Sequence, residues 1–270
     1  MTIKETAYAK INLALHVRRR REDGYHELET LFAFVDCGDF LTARSAQHDS
    51  VETIGEFAGG IENPFDNLVA KALSVLPHPD GLAITLEKNL PIAAGLGGGS
   101  ADAGAVFRIV RERHGLPDDW RERAAKLGAD VPACVESVAC IGRGTGTELL
   151  PVKNDLSGMP VLLVNPRKPV STGPVFAAWD GVDRGPMPEG TVDDITRKGR
   201  NDLLFPAQQF CPEIAQVLED MNDSDPYRVG MSGSGATCWA IYKTADHRDK
   251  AARELAEQEP QWWMMRGNLR

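Results

Sequence analysis

Cysteine is scarce and unpatterned in this chain of 270 residues. Cys37, Cys134, Cys140, Cys211 and Cys238 are widely spaced, and no Cys-x-x-Cys pair occurs. This argues against a disulfide framework or a zinc ribbon and for free thiols in a reducing compartment. Long hydrophobic runs are also missing. No stretch approaches the roughly 20 apolar residues of a membrane span. Residues 1–10 hold no apolar run of signal-peptide length. A cytoplasmic location without a membrane partner is therefore expected. Positive charge is in deficit, with 30 Lys and Arg against 39 Asp and Glu, for a net charge of −9. A nucleic-acid binder normally carries a basic face, so no nucleic-acid partner is expected. The six histidines show no metal-ligand spacing, and there is no internal repeat or low-complexity tract.

The chain holds 42% apolar and 26% charged residues, an ordinary balance for a globular protein, with enough material for a sizeable core. Period-two alternation of Ile11, Leu13, Leu15 and Val17 predicts a strand, with a turn at 21–24 and a returning strand over 28–35. The basic run Arg18 to Arg21 reads as a solvated hairpin tip or, alternatively, an anion-contacting loop. Further strands are expected at 82–86, 135–141, 161–164, 236–242 and 262–265. Helices are expected at 66–76, with Asp66 as N-cap, and at 100–113, 118–127, 172–179, 202–210, 212–221 and 246–258. Strands and helices are interspersed without regular alternation, which favours an α+β fold. A boundary near 151–160 divides the chain into domains 1–152 and 153–270.

The most informative stretch is Pro91-Ile-Ala-Ala-Gly95-Leu96-Gly97-Gly98-Gly99-Ser100-Ala101-Asp, between a predicted strand and a predicted helix. Clustered glycines cost conformational entropy. The cost is offset where backbone amides must approach a ligand closely. Successive N–H groups there form an anion-binding concavity, to which the helix adds its own N-terminal N–H groups and dipole. A polyphosphate is the expected ligand. The loop is not a Walker A motif, because no lysine follows the glycines. Nor is it a dinucleotide fingerprint, which starting from Gly95 would place glycine or alanine where Ser100 stands.

The same stretch resembles the phosphate-loop signature of the GHMP kinases. Ala7-Tyr-Ala-Lys10-Ile-Asn12-Leu is similar to that family's N-terminal motif, and Gly230-Met-Ser-Gly-Ser-Gly-Ala-Thr237 to its C-terminal glycine motif. The three occur in order across residues 7 to 237. The resemblance implies a two-domain α+β fold. Its N-terminal domain is like that of ribosomal protein S5 and carries the ATP site and catalytic residues; its C-terminal domain is ferredoxin-like. The triple glycine 97–99, Asp23-Gly-Tyr25-His26, Gly128-Ala-Asp130-Val-Pro132 and Asn201-Asp-Leu resemble one branch of the family. That branch phosphorylates a cytidine-diphosphate-linked sugar alcohol on the non-mevalonate route to isoprenoid precursors, using ATP and Mg2+. Monomer and homodimer both remain open.

The resemblance also implies roles. Lys10 and Asp130, 120 residues apart in sequence, become the catalytic pair. Asp130 would take the acceptor hydroxyl's proton late in transfer, because a carboxylate is a weak base. Lys10 would orient it and offset developing negative charge. Pro91, Gly95, Leu96, Gly97, Gly98, Gly99, Ser100 and Ala101 would hold the ATP phosphates, and Ser100 is the candidate for Mg2+. Asn12, Tyr25, His26, Thr172 and Phe176 would contact the acceptor substrate, with Tyr25, His26 and Phe176 at its cytosine. The segment Val170 to Phe176 is shorter than the family's pattern. Asn67 is the candidate for the adenine pocket. The motif Ser232-Gly-Ser-Gly235 reads as close backbone packing, as a buttress for the phosphate loop, or both.

Overall fold

A computed structural model describes residues 2–60 and 67–270. The chain divides into two compact units, each discontinuous in sequence. One comprises Met1–Lys10, Cys37–Ile92 and Gly97–Ser137; the other comprises Ile11–Asp36, Ala93–Leu96 and Val138–Arg270. Two long paired strands, β1 (Thr2–Arg20) and β2 (His26–Ala46), extend the predicted hairpin well beyond its expected ends and contribute to both units.

In the first unit, Phe40–Ala46 of β2 pairs antiparallel with β4 (Gly81–Glu87), which pairs in parallel with β3 (Ser50–Ile54). Leu82, Ile84 and Leu86 point inward, as their alternation predicts. Helices α1 (Leu68–Val75), α2 (Gly98–His114), α3 (Trp120–Leu127) and α4 (Val131–Glu136) complete the unit. The expected N-cap Asp66 lies outside the described residues. Asn67 does the capping instead, its side chain accepting from the Val69 N–H at 2.9 Å. α2 begins two residues earlier than expected, inside the glycine run. Its small residues let α4 approach closely: a Cβ on Gly104 would lie 2.6 Å from the Cys134 carbonyl. The strand expected at 135–141 is displaced: of those residues only Cys140 and Ile141 are extended, in a strand that runs to Gly144. Val131 to Val135 are buried in α4, which has Pro132 in its first turn, and strand β5 starts only at Cys140. A short run buried on all sides has no periodicity to tell helix from strand.

In the second unit, β5 (Cys140–Gly144) pairs antiparallel with Leu28–Phe32 of β2 and with β6 (Glu148–Pro151). A separate four-stranded antiparallel sheet is built from β7 (Pro160–Asn165), β8 (Arg228–Met231), β9 (Cys238–Ile241) and β10 (Trp263–Asn268), in the order β10-β7-β9-β8. Between β7 and β8 run α5 (Thr172–Ala177), α6 (Val192–Lys198), α7 (Leu204–Phe210) and α8 (Glu213–Asp223); α9 (Ala245–Gln258) joins β9 to β10. With the strands renumbered one to four, the order is 4-1-3-2 with crossover helices, a ferredoxin-like arrangement. Leu162, Val164, Ile214, Val217 and Leu255 share its core. β3, β6, β8 and α6 were not expected. Three of these are strands of five residues or fewer, and α6 is a seven-residue helix set by the capping box of Thr191 and Asp194. Among the described residues no helix is long and apolar enough to cross a membrane.

His16 is fully buried on β1. Its Nδ1 donates to the Gly185 carbonyl at 3.3 Å, and its Nε2 accepts from the Arg200 N–H at 3.2 Å, which selects the neutral tautomer. Burial, and after it the Arg200 charge, lowers the His16 pKa below 6.5. As pH falls below 6.5, the unfolded chain takes up a proton that the native ring resists. The contribution of His16 is thus fully present above pH 6.5 and declines as pH falls towards the lowered native value. Urea denaturation at pH 7.5 and 5.5 is expected to show a larger loss of stability for the wild type than for His16→Gln. Equal losses would remove His16 as the cause.

Candidate active site

In the first unit the middle of β1 carries Lys10, whose side chain is 5% exposed, and the start of α4 presents Asp130, at 31%. Lys10 Nζ lies 3.1 Å from Asp130 Oδ2. The strand is covered on both faces from Ala9 to Val17, which buries the lysine stem, while the residue preceding a helix leaves its carboxylate reachable. Gly97, in the left-handed region at φ 60°, precedes α2. A Cβ there would sit 2.9 Å from Lys10 Cε and 3.7 Å from Asp130 Oδ2, so the loop backbone passes directly against the ion pair. No side chain caps the first turn of α2. Its leading N–H groups and dipole are therefore left for an anion. Ser100 faces the segment before Asp130, its Oγ 3.7 Å from where a Gly128 Cβ would be. Pro91, Leu96 and Ala101 are buried and fix the loop, while Gly99 is exposed.

Beneath this turn lies a group that the sequence reading missed. Lys88 Nζ donates to Asp39 Oδ2 and, at 2.8 Å, to Asp102 Oδ2, and all three side chains are at most 3% exposed. Asp39 Oδ1 also accepts from the N–H groups of Asn89 (2.5 Å) and Leu90 (2.8 Å). The triad therefore ties residues 88–90, ahead of the glycine loop, to α2 behind it. Burial pushes the Asp102 carboxyl up to about 8 against the pull of Lys88. Burial alone would lower the Lys88 ammonium, but Asp102 and Asp39 outweigh it and its pKa is raised. Lysine and aspartate on these elements read as ordinary surface charge in sequence; only the Asp102 of the Ser-Ala-Asp motif offered a signal.

In the second unit, residues 93–96 of the loop are braced by the C-terminal glycine motif. Ser232 Oγ donates to the Gly95 carbonyl at 2.7 Å and accepts from the Asn12 N–H at 3.1 Å; the Thr237 N–H donates to the Ala94 carbonyl at 3.1 Å. Asn201 in turn holds the Met231 and Gly233 carbonyls, at 3.0 and 2.8 Å. The motif thus packs closely and buttresses at once. The Asn12 side chain donates to Thr30 Oγ1 at 2.7 Å, and its Oδ1 lies 3.2 Å from the Cβ position of Gly233.

The same unit gathers an aromatic cluster. The His26 ring lies 5.1 Å from Phe176 and 5.9 Å, edge-on, from Trp179. His26 Nε2 and Trp179 Nε1 are buried with no hydrogen-bond partner among the described residues. Burial, and then the Arg20 charge, lowers the His26 pKa. Arg20 lies over the Trp179 ring at 5.9 Å and donates to the Ala177 and Trp179 carbonyls. Each arginine of the 18–21 run is paired in this way: Arg18 with Glu29 and Asp183, Arg19 with Glu27, and Arg21 with Asp23. Tyr25 is 65% exposed, and Thr172 Oγ1 lies 3.1 Å from Ser234 Oγ. Asn67 is buried, with its side chain engaged by Val69 and Thr53. Trp179 was missed because an aromatic at helical spacing reads as core.

The family model for the GHMP kinases N terminal domain matches residues 67–137, and that for the GHMP kinases C terminal matches residues 193–261. The chain belongs to the GHMP kinases. Among curated relatives, a protein of Erythrobacter litoralis (strain HTCC2594) is 65% identical over 99% of both chains. One of Novosphingobium aromaticivorans (strain ATCC 700278) is 64% identical over all of this chain and 94% of its own. Both are 4-diphosphocytidyl-2-C-methyl-D-erythritol kinases. A crystal structure of 4-(cytidine 5'-diphospho)-2C-methyl-D-erythritol kinase superposes with a TM-score of 0.82 at 34% identity, covering 99% of each chain.

Replacing Lys88 by Met leaves two buried carboxyl groups without their cation. Loss of one partner of a buried pair costs about 3–5 kcal/mol. Urea unfolding is expected to register a loss of that order. A change below about 1 kcal/mol would show that the triad is not an anchor.

Proposed function

We propose that the chain is an ATP-dependent kinase that phosphorylates the 2-hydroxyl of 4-diphosphocytidyl-2-C-methyl-D-erythritol, a step in non-mevalonate isoprenoid-precursor synthesis. The observation that carries this reading is the Lys10–Asp130 pair, 3.1 Å apart, with Gly97 and the uncapped start of α2 against it. The donor set fits a polyphosphate. The first main-chain N–H groups of α2 have no side-chain cap at the end where the helix dipole favours negative charge, and a side chain at 97 would collide with Lys10. Ser100 offers a hard oxygen suited to Mg2+, an ion that keeps several waters and takes few protein ligands. Among the described residues no group of three or more His, Cys, Asp or Glu could hold a metal. Bound MgATP supplies the γ-phosphoryl group and neutralises phosphate charge.

The chain's own residues then do four things. The 95–101 loop and α2 hold the phosphates and aim the terminal one. Asp130 accepts a hydrogen bond from the acceptor hydroxyl and takes its proton as the new O–P bond forms and the bond to the β-phosphate oxygen breaks. Lys10 orients Asp130 and offsets charge on the transferring group. His26 and Phe176 hold the cytosine, with Tyr25 stacking from the exposed side and Asn12 and Thr172 contacting the remainder of the substrate. The buried, orphaned Nε2 of half-buried His26 supports this assignment, because a buried polar atom without a partner is rare unless a ligand completes it. The same reading puts the ATP and catalytic groups in residues 1–152 and the ferredoxin-like domain in 153–270.

Mixing the chain with MgATP and the proposed acceptor should release ADP. Turnover with homoserine or mevalonate instead would move it to another branch of the family. Asp130→Asn is expected to leave ATP binding near normal and to cut turnover by about 10²-fold or more; full activity would remove Asp130 from the mechanism. Gly97→Ala combines strain at φ 60° with a 2.9 Å clash against Lys10. It should weaken ADP binding measured by calorimetry, and unchanged affinity would exclude the close approach at 97.

A further inference from the structure

Arg108 lies in α2, the helix that starts at the glycine loop, and its side chain is 9% exposed. All three of its guanidinium nitrogens are engaged. Nη2 donates to the Thr6 carbonyl at 2.7 Å, on β1 four residues before Lys10. Nη1 donates to the Cys134 carbonyl at 2.6 Å and to Ser137 Oγ at 3.0 Å, with the Val135 carbonyl at 3.4 Å. Nε donates to Glu5 Oε1 at 3.1 Å, and the guanidinium lies over the Tyr8 ring at 5.3 Å. These partners are not scattered. Cys134, Val135 and Ser137 form the C-terminal end of α4, where the last carbonyls lack intrahelical donors. Glu5, Thr6 and Tyr8 belong to the stretch of β1 that leads into Lys10.

We propose that Arg108 is a positioning residue that sets the Lys10–Asp130 geometry. This rests on the reading that Lys10 and Asp130 are the catalytic pair. α4 is a short rod with Asp130 at one end and Arg108 at the other. At 1.5 Å per residue it is about 9 Å long, so a tilt of about 6° moves Asp130 by about 1 Å. One planar, multiply donating group fixes that rod to the strand carrying Lys10 and to the helix that faces the phosphates. A lysine offers a point charge and cannot span these acceptors at once. A displacement of about 1 Å in a reacting group can cost as much as 10²-fold in rate. The nucleotide contacts, formed by 95–101, do not pass through α4.

The test is steady-state turnover with MgATP and the proposed acceptor, together with calorimetric titration of ADP, on the full chain as wild type, Arg108→Ala and Arg108→Lys. In Arg108→Ala, kcat is expected to fall about 10- to 100-fold. The ADP dissociation constant, the binding stoichiometry and the KM for ATP should stay within about two-fold. Arg108→Lys should fall in between, and millimolar guanidinium should restore part of the turnover of Arg108→Ala but none of that of Asp130→Asn. A kcat that falls only in proportion to lost ADP-binding sites marks a purely structural role and overturns the proposal. So does unchanged kcat in either variant. If Arg108→Ala does not fold, Arg108→Lys decides alone. A wild type that binds ADP yet never turns over overturns the kinase reading, and this proposal with it.

Discussion

The ion pair between Lys10 and Asp130 is the constraint around which the first unit is organised. A buried ammonium beside a half-buried carboxylate is tolerable only if each completes the other. Two elements distant in sequence must therefore arrive together: the strand that carries Lys10 and the short helix that follows Asp130. Gly97 is then confined to a left-handed conformation with no side chain, because the loop backbone runs against the pair. The uncapped helix N-terminus and the carboxylate thereby come to lie side by side.

The glycine loop is held at its base by unlike means. In the first unit a buried cation shared by two carboxylates joins residues 88–90 to α2. In the second, neutral hydrogen bonds from Ser232 and Thr237 hold the carbonyls of Gly95 and Ala94. Charge strengthens the first anchor because no water competes for it. The second uses close backbone packing. Each restrains the loop backbone within its own unit.

Much of the fold was legible in the sequence. Alternation in 11–17 and 82–86 predicted strands that the structure contains, and the amphipathic spacing of 246–258 predicted α9. The failures were short elements. Residues 135–141 read as a strand, yet Val135 and Glu136 close α4, which packs on Gly104, and the strand begins only at Cys140. β8 was hidden because four residues leading into a glycine loop carry almost no pattern. The candidate site was legible where a motif marks it, as in 95–101. It was not where ordinary residues acquire meaning only through their neighbours: Lys88, Asp39, Trp179 and Arg108 are unremarked in sequence.

The sequence by itself determined that a glycine turn leads into a helix, because clustered glycines before a helix expose amides whatever surrounds them. It also determined most of the longer strands and helices, since periodicity is local. The tertiary structure alone decided that a lysine and an aspartate 120 residues apart make a 3.1 Å pair, and that a buried triad lies under the loop. Those contacts follow from long-range packing, in which burial turns unexceptional charges into partners with no alternative to one another.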